Sequence, residues 1–109
     1  MRRLVVLCFT LLAACSSIDY SRAPPADWPR LEPKVIHYSS AEVQKICGGG
    51  ILFHVIACVF FEFNLRECRI YISSNESWVI DHELAHCAGY DHAWESTVAD
   101  FWEGWKRTQ

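Results

Sequence analysis

The sequence predicts a small α+β fold in which a short sheet packs on one helix and a second helix lies near the C-terminus. Two segments, Lys34 to Tyr38 and Cys68 to Ile72, alternate as half-buried strands do. The segment Ala93 to Arg107 instead spaces its large apolar residues at helical intervals. These three segments frame a domain that is predicted to span residues 34–109.

The other elements follow the first strand in close succession. Ala41 to Ile46 is predicted to be a short helix, which Gly48-Gly49-Gly50 ends. Ile51 to Phe63 is long enough for a buried helix, but its β-branched and aromatic residues favour a strand with a break. Asn64 to Glu67 is typical of a turn, and the second strand follows it.

The last predicted helix has one apolar face, formed by Trp94, Val98, Phe101, Trp102 and Trp105. The favoured interpretation is a helix that docks on the domain and completes its core. The alternative is an interfacial helix whose tryptophans insert into a membrane surface.

Residues 82–92 carry the pattern H-E-x-x-H-x-x-G-x-x-H without a departure. His82 and His86 are four residues apart, so on a helix they lie on one face, one turn apart. Two imidazoles placed in this way can bind one metal ion from the same side. Glu83 lies at the flank of that face, where its carboxylate can reach a water on the metal rather than the metal itself.

The second half of the pattern predicts a third ligand. Gly89 can adopt a left-handed backbone conformation, which ends the helix and turns the chain back. His92 then arrives as the third imidazole and leaves a fourth position open, as in catalytic sites. Asp91 is either a partner that orients a ligand ring or a residue of the turn.

With this extended motif, the chain resembles the metzincin clan of zinc metallopeptidases. The resemblance implies a minimal zincin-like domain that binds one Zn²⁺ through His82, His86 and His92 and uses Glu83 as general base for endopeptidase activity. It also implies a peptide or protein substrate, held in extended form at the edge of the strand before the helix. Metzincins have a methionine turn after the third histidine, whereas the single methionine here is Met1.

A non-catalytic zinc-binding lipoprotein, or an accessory lipoprotein of the cell envelope, is the alternative to a peptidase. The small domain and the lack of a methionine turn favour this alternative. The glutamate at position 83 favours the enzyme, because a pure binding site has no use for a carboxylate there.

The N-terminus has the pattern of an export signal. Met1-Arg2-Arg3 is basic, and Leu4 to Leu12 is a short apolar run. Leu12-Ala13-Ala14-Cys15 resembles the bacterial lipobox, which implies a signal peptide over residues 1–14 and lipid on Cys15. The alternative is an ordinary signal peptide followed by a chance cysteine. The residue after Cys15 is not aspartate, which by the same resemblance favours an outer-membrane anchor facing the periplasm.

Residues 15–33 are predicted to be a lipidated cysteine and a tether, because all four prolines of the chain lie here. Trp28 and Leu31 within it either dock on the domain or belong to a solvated linker. The chain has 13 acidic and 10 basic residues and no basic run, which argues against nucleic acid as a partner.

Four further cysteines, Cys47, Cys58, Cys68 and Cys87, predict two disulfides in an exported domain. Of the three possible pairings, we favour Cys58–Cys68 across a hairpin together with Cys47–Cys87. A second metal site is the disfavoured alternative, because no C-x-x-C pair is present. Disulfides and a metal ion are both expected to help a domain too small for an ample core.

Overall fold

The computed structural model describes residues 22–49 and 54–109, so the predicted signal peptide and Cys15 lie outside the described residues. The described part is a small α+β fold, as predicted, with a three-stranded sheet and three helices. Its elements in chain order are β1 (Glu32–His37), α1 (Ser40–Cys47), β2 (Ala57–Glu62), a 3-10 turn (Phe63–Leu65), β3 (Glu67–Ile72), α2 (Ser77–Cys87) and α3 (Thr97–Arg107).

The strand order is β1-β3-β2, with β1 parallel and β2 antiparallel to the central strand β3. Three alternate residues of β3, Cys68, Ile70 and Ile72, are fully buried and form the centre of the core. The expectation that the strand before α2 has a free edge is wrong, because β1 and β2 pair with both sides of β3. In the described sheet, β2 is instead the edge strand beside α2.

Two element boundaries differ from the sequence prediction for identifiable reasons. β1 begins at Glu32 and contains Pro33, which is tolerated because β1 is an edge strand in the described sheet. The last helix begins at Thr97 rather than Ala93, since residues 92–95 form a turn in which Glu95 N donates to His92 O over 3.1 Å. None of the helices in the described ranges is long and apolar enough to cross a bilayer.

The segment before β1 packs on the domain instead of forming a solvated tether up to residue 33. Leu31 is buried in the core. The Trp28 ring makes edge contacts with Phe61, Phe63 and Trp102, and its Nε1 donates to the Cys87 carbonyl over 3.1 Å. The packed domain therefore includes residues that proline density alone assigned to a spacer.

The last helix docks on this segment. Val98 and Trp102 of α3 are buried, and Trp102 Nε1 donates to Asp27 Oδ1 over 3.0 Å. Lys106 also forms an ion pair with Asp27. These contacts confirm a helix that completes the core, with Asp27 as the link between the N-terminal segment and α3.

The disulfides are Cys47–Cys58 and Cys68–Cys87, so the favoured pairing of Cys58 with Cys68 and Cys47 with Cys87 is wrong. The hairpin register explains the error. Cys58 lies opposite Tyr71, three positions beyond Cys68 on β3, and an odd offset places the two cysteines on opposite faces of the sheet. Each disulfide therefore links one helix to one face, α1 through Cys58 and α2 through Cys68.

Candidate metal centre

Three histidine side chains converge at the mouth of a cleft between α2, β2 and α3. His82 Nε2 lies 3.3 Å from His86 Nε2 and 3.2 Å from His92 Nε2. Three nitrogens bound to one tetrahedral ion at about 2.0–2.1 Å lie about 3.3–3.4 Å apart. Two of the three separations between the predicted ligands thus match those of a tetrahedral site, and all three ligand atoms lie within 4.8 Å of one another.

Helix α2 sets the positions of the first two ligands. His82 and His86 lie one turn apart, while Val79 and Cys87 of the same helix are buried against the sheet. The disulfide from Cys87 to the fully buried Cys68 fixes the end of α2 to the central strand. The histidine pair is therefore carried by a helix whose opposite side is anchored covalently.

The tautomer of His86 is defined by the turn after α2. Its Nδ1 lies 2.9 Å from the carbonyl oxygen of Tyr90, an acceptor only, so Nδ1 carries the proton and donates it. The Nε2 lone pair then points toward the other two histidines. This arrangement, with one ring nitrogen donating to a carbonyl and the other facing the ion, is the common one for histidine ligands.

Gly89 is required where the chain leaves the helix. Its φ is 96°, in the left-handed region. A Cβ at this position would lie 2.8 Å from Pro24 Cβ and from Trp28 Cγ, so a side chain would also collide with the N-terminal segment. The motif glycine therefore has two roles, the turn toward His92 and the close approach of residues 24–28.

The Asp91 side chain holds the backbone of the turn, since both of its oxygens accept hydrogen bonds from backbone N–H groups. It is 2% exposed. Its Oδ1 accepts from His92 N over 2.9 Å, and its Oδ2 accepts from Val98 N over 3.0 Å. Asp91 also forms a backbone bridge with Arg22. One buried carboxylate thus joins the third ligand to the first turn of α3.

Sequence reasoning missed two residues outside the ligand set, Trp94 and Glu95, that contact the ring of His92. Trp94 stacks on it, with centroids 5.0 Å apart and an interplanar angle of 9°. Glu95 Oε2 lies 3.2 Å from His92 Nδ1. The sequence places both residues in the last predicted helix, with Trp94 on its apolar face. An acidic residue three positions after a ligand is the signal that could have identified Glu95.

Glu83 lines the cleft beside the ligands and is 8% exposed. Burial raises the pKa of its carboxyl to about 7, and the nearby His92 acts in the opposite direction. The converging group contains the three histidines and does not include Glu83. The carboxylate is therefore placed next to a metal position without being part of the ligand set.

The cleft has a volume of about 340 Å³, and Val59, Phe61 and Phe101 contribute apolar walls. A second hollow of about 270 Å³ shares Ala57, His82 and Glu83 with it and extends toward Trp78 and His54. The metal position thus lies between two hollows that both border β2.

A second group, formed by Asp91, His92 and Glu95, also brings three possible ligand atoms together. It is the weaker candidate, because both oxygens of Asp91 already accept backbone hydrogen bonds and His92 is shared with the first group.

Comparison with known proteins finds no relative: no protein-family model, curated protein or solved structure matches the chain. The motif and the geometry of the site are therefore the observations that bear on function.

Proposed function

We propose that this chain is a zinc metallopeptidase in which His82, His86 and His92 hold one Zn²⁺ and Glu83 is the general base. The observation that carries the proposal is the convergence of three histidine nitrogens, with His82 Nε2 3.2–3.3 Å from the other two Nε2 atoms, beside a buried carboxylate. Three imidazoles with an open fourth position are typical of catalytic zinc. The resemblance of residues 82–92 to the metzincin motif supports the same conclusion.

The proposed chemistry assigns proton transfer to Glu83. When bound, Zn²⁺ supplies Lewis acidity to a water molecule and to the scissile carbonyl. Glu83 accepts a proton from the attacking water and passes it to the leaving nitrogen. Because Glu83 follows His82 directly on α2, its carboxylate lies beside the ligand face and stays available for this transfer.

The proposed substrate is a peptide in extended conformation along β2. Ala57, Val59 and Phe61 of this strand border the cleft, and in the described sheet β2 pairs only with β3. An extended peptide can add to such an edge through main-chain hydrogen bonds. Its side chains would then enter the two hollows on either side of the metal position.

The proposed setting is the cell envelope. The two disulfides favour an oxidising compartment, in agreement with an exported protein. Lipid on Cys15 and an outer-membrane anchor remain predictions, because that cysteine lies outside the described residues.

The test is zinc content together with peptide cleavage by the full chain. Free thiols are first alkylated, so that Cys8 and Cys15 cannot bind metal. Elemental analysis is expected to find one zinc per chain, and mass spectrometry is expected to find new termini in an unfolded protein substrate. Glu83→Gln is expected to keep zinc and lose about 10²–10⁴-fold in rate, the usual contribution of acid–base catalysis.

The ligand set is tested with two histidine variants. His86→Ala is expected to lose stoichiometric zinc, whereas His37→Ala, at the exposed end of β1, is expected to keep both zinc and activity. A parent chain that binds no zinc refutes the ligand set. A parent that binds zinc but cleaves no peptide supports the alternative of a non-catalytic zinc-binding envelope lipoprotein, and unchanged cleavage by Glu83→Gln refutes the role of the base.

A further inference from the structure

The third ligand lies in a four-residue turn whose other members act on its ring. His92 begins the turn, and Glu95 N donates to the His92 carbonyl over 3.1 Å. This backbone hydrogen bond brings the side chain of Glu95 back over His92. Trp94, between them, stacks on the imidazole face. The turn therefore places both the Trp94 ring and the Glu95 carboxylate against the imidazole of His92.

One nitrogen of the His92 ring, Nδ1, is buried and has no hydrogen-bond partner among the residues that the structure describes. Glu95 Oε2 lies 3.2 Å away, within the distance of an ion pair but without the geometry of a hydrogen bond. The last torsion of a glutamate side chain is broad and turns at low cost. Rotation of the Glu95 carboxylate about this torsion is therefore a low-cost way to align it with Nδ1–H.

His86 and His92 each need an acceptor for Nδ1–H, so that Nε2 stays available to bind the metal. The Nδ1 of His86 donates to a backbone carbonyl, which leaves its Nε2 for the metal. In the structure, His92 has no such carbonyl partner, and Glu95 is the acceptor within reach of its Nδ1. His92 is also the ligand outside α2, so the helix does not fix its ring plane. Its orientation therefore depends on contacts made by the turn itself, such as those of Trp94 and Glu95.

We propose that Glu95 is the positioning residue of the third metal ligand: its carboxylate accepts the Nδ1–H of His92 and thereby leaves Nε2 for the ion. The proposal rests on the metal site of the proposed function. Trp94 assists by holding the ring plane from one face. Carboxylates in this outer position orient histidine ligands in many metal sites and increase their basicity.

The test measures metal binding rather than turnover, because Glu95 also lines the cleft and can influence activity through substrate. The full chain, with its free thiols alkylated, is titrated with Zn²⁺ against a competing chelator. Glu95→Gln is expected to bind Zn²⁺ about 10- to 100-fold more weakly than the parent. Glu95→Asp, which retains a carboxylate, is expected to recover part of that loss. The matched control Glu103→Gln, whose carboxylate pairs with Lys106 on α3, is expected to bind like the parent.

A spectroscopic measurement separates ring orientation from a general loss of structure. With Co²⁺ in place of Zn²⁺, the visible absorption bands of Glu95→Gln are expected to shift or weaken, while the melting temperature of the metal-free protein stays at the parent value. Equal Zn²⁺ affinity and equal Co²⁺ spectra for Glu95→Gln and the parent would overturn the proposal. If instead the parent itself binds no metal, the proposed function fails, and the two failures are thereby distinguished.

Discussion

The two halves of the candidate metal centre are built in different ways. His82 and His86 lie on a regular helix, α2, that a buried disulfide fixes to the central strand. His92 lies in an irregular segment, residues 88–96, that is held by contacts from the N-terminal segment and from α3. Helix periodicity is sufficient to position the first pair, whereas the third ligand depends on residues distant in sequence.

This difference predicts which part of the site loses its ligand geometry on substitution. The helical half is expected to keep its two ligands together through many substitutions, because their spacing follows from the backbone. The irregular half is expected to lose the third ligand when any one of its supports is removed.

The largest decrease in the free energy of unfolding is expected for Gly89→Ala. A Cβ here meets Pro24 and Trp28 at 2.8 Å, and the φ of 96° is strained for alanine. Backbone strain and overpacking together are expected to lower the free energy of unfolding by about 4 kcal/mol, measured by urea unfolding.

The matched control is Gly104→Ala on α3, where the nearest atom to a new Cβ is 3.8 Å away. Alanine is expected to stabilise this helical position by about 0.5–1 kcal/mol. Similar stabilities for Gly89→Ala and the parent would show that the turn does not need its glycine.

Loss of either disulfide is expected to lower the stability of the fold, but loss of only one of them is expected to weaken metal binding. Replacing Cys68 and Cys87 together by alanine is expected to cost about 3 kcal/mol and to weaken Zn²⁺ binding, since it releases the end of α2. Replacing Cys47 and Cys58 is expected to cost a similar free energy without changing Zn²⁺ affinity, because that bond fixes α1 on the opposite face of the sheet. Urea unfolding and chelator competition measure the two quantities. Equal effects of the two double variants on Zn²⁺ affinity would contradict the role given to α2.

The smallest effect is expected at Asp27, which joins the N-terminal segment to α3. Its hydrogen bonds with Lys106 and then with Trp102 hold the pKa of its carboxyl below the ordinary value of 3.8. A depressed pKa means that this contact stabilises the fold above the ordinary pKa, and that the contribution is lost as pH falls through the folded-state pKa.

Urea midpoints at neutral and acidic pH measure the Asp27 contribution. Asp27→Asn is expected to be less stable than the parent at pH 7, and the difference is expected to shrink below about pH 4. A difference that stays constant between pH 7 and pH 3 would assign the effect to packing rather than to charge.

The features that could be predicted from the sequence are those that local patterns determine. The strands, the fold class and the converging histidines followed from periodicity and from the spacing of residues 82–92. The disulfide pairing was wrong because it depends on the strand register, which places Cys58 and Cys68 on opposite faces. The roles of Trp28, Trp94 and Glu95 were missed because each depends on where the chain turns, and helix-like spacing masked the turn at residues 92–95.

X-ray absorption at the zinc edge of the full, thiol-alkylated chain is the most direct test of the central claim that three imidazoles hold one zinc ion. We expect a first shell of light atoms at about 2.0–2.1 Å with the outer-shell scattering of three imidazole rings in the parent, and no such three-ring shell in His92→Ala. Sulfur scattering at about 2.3 Å, or a shell that His92→Ala leaves unchanged, would contradict it.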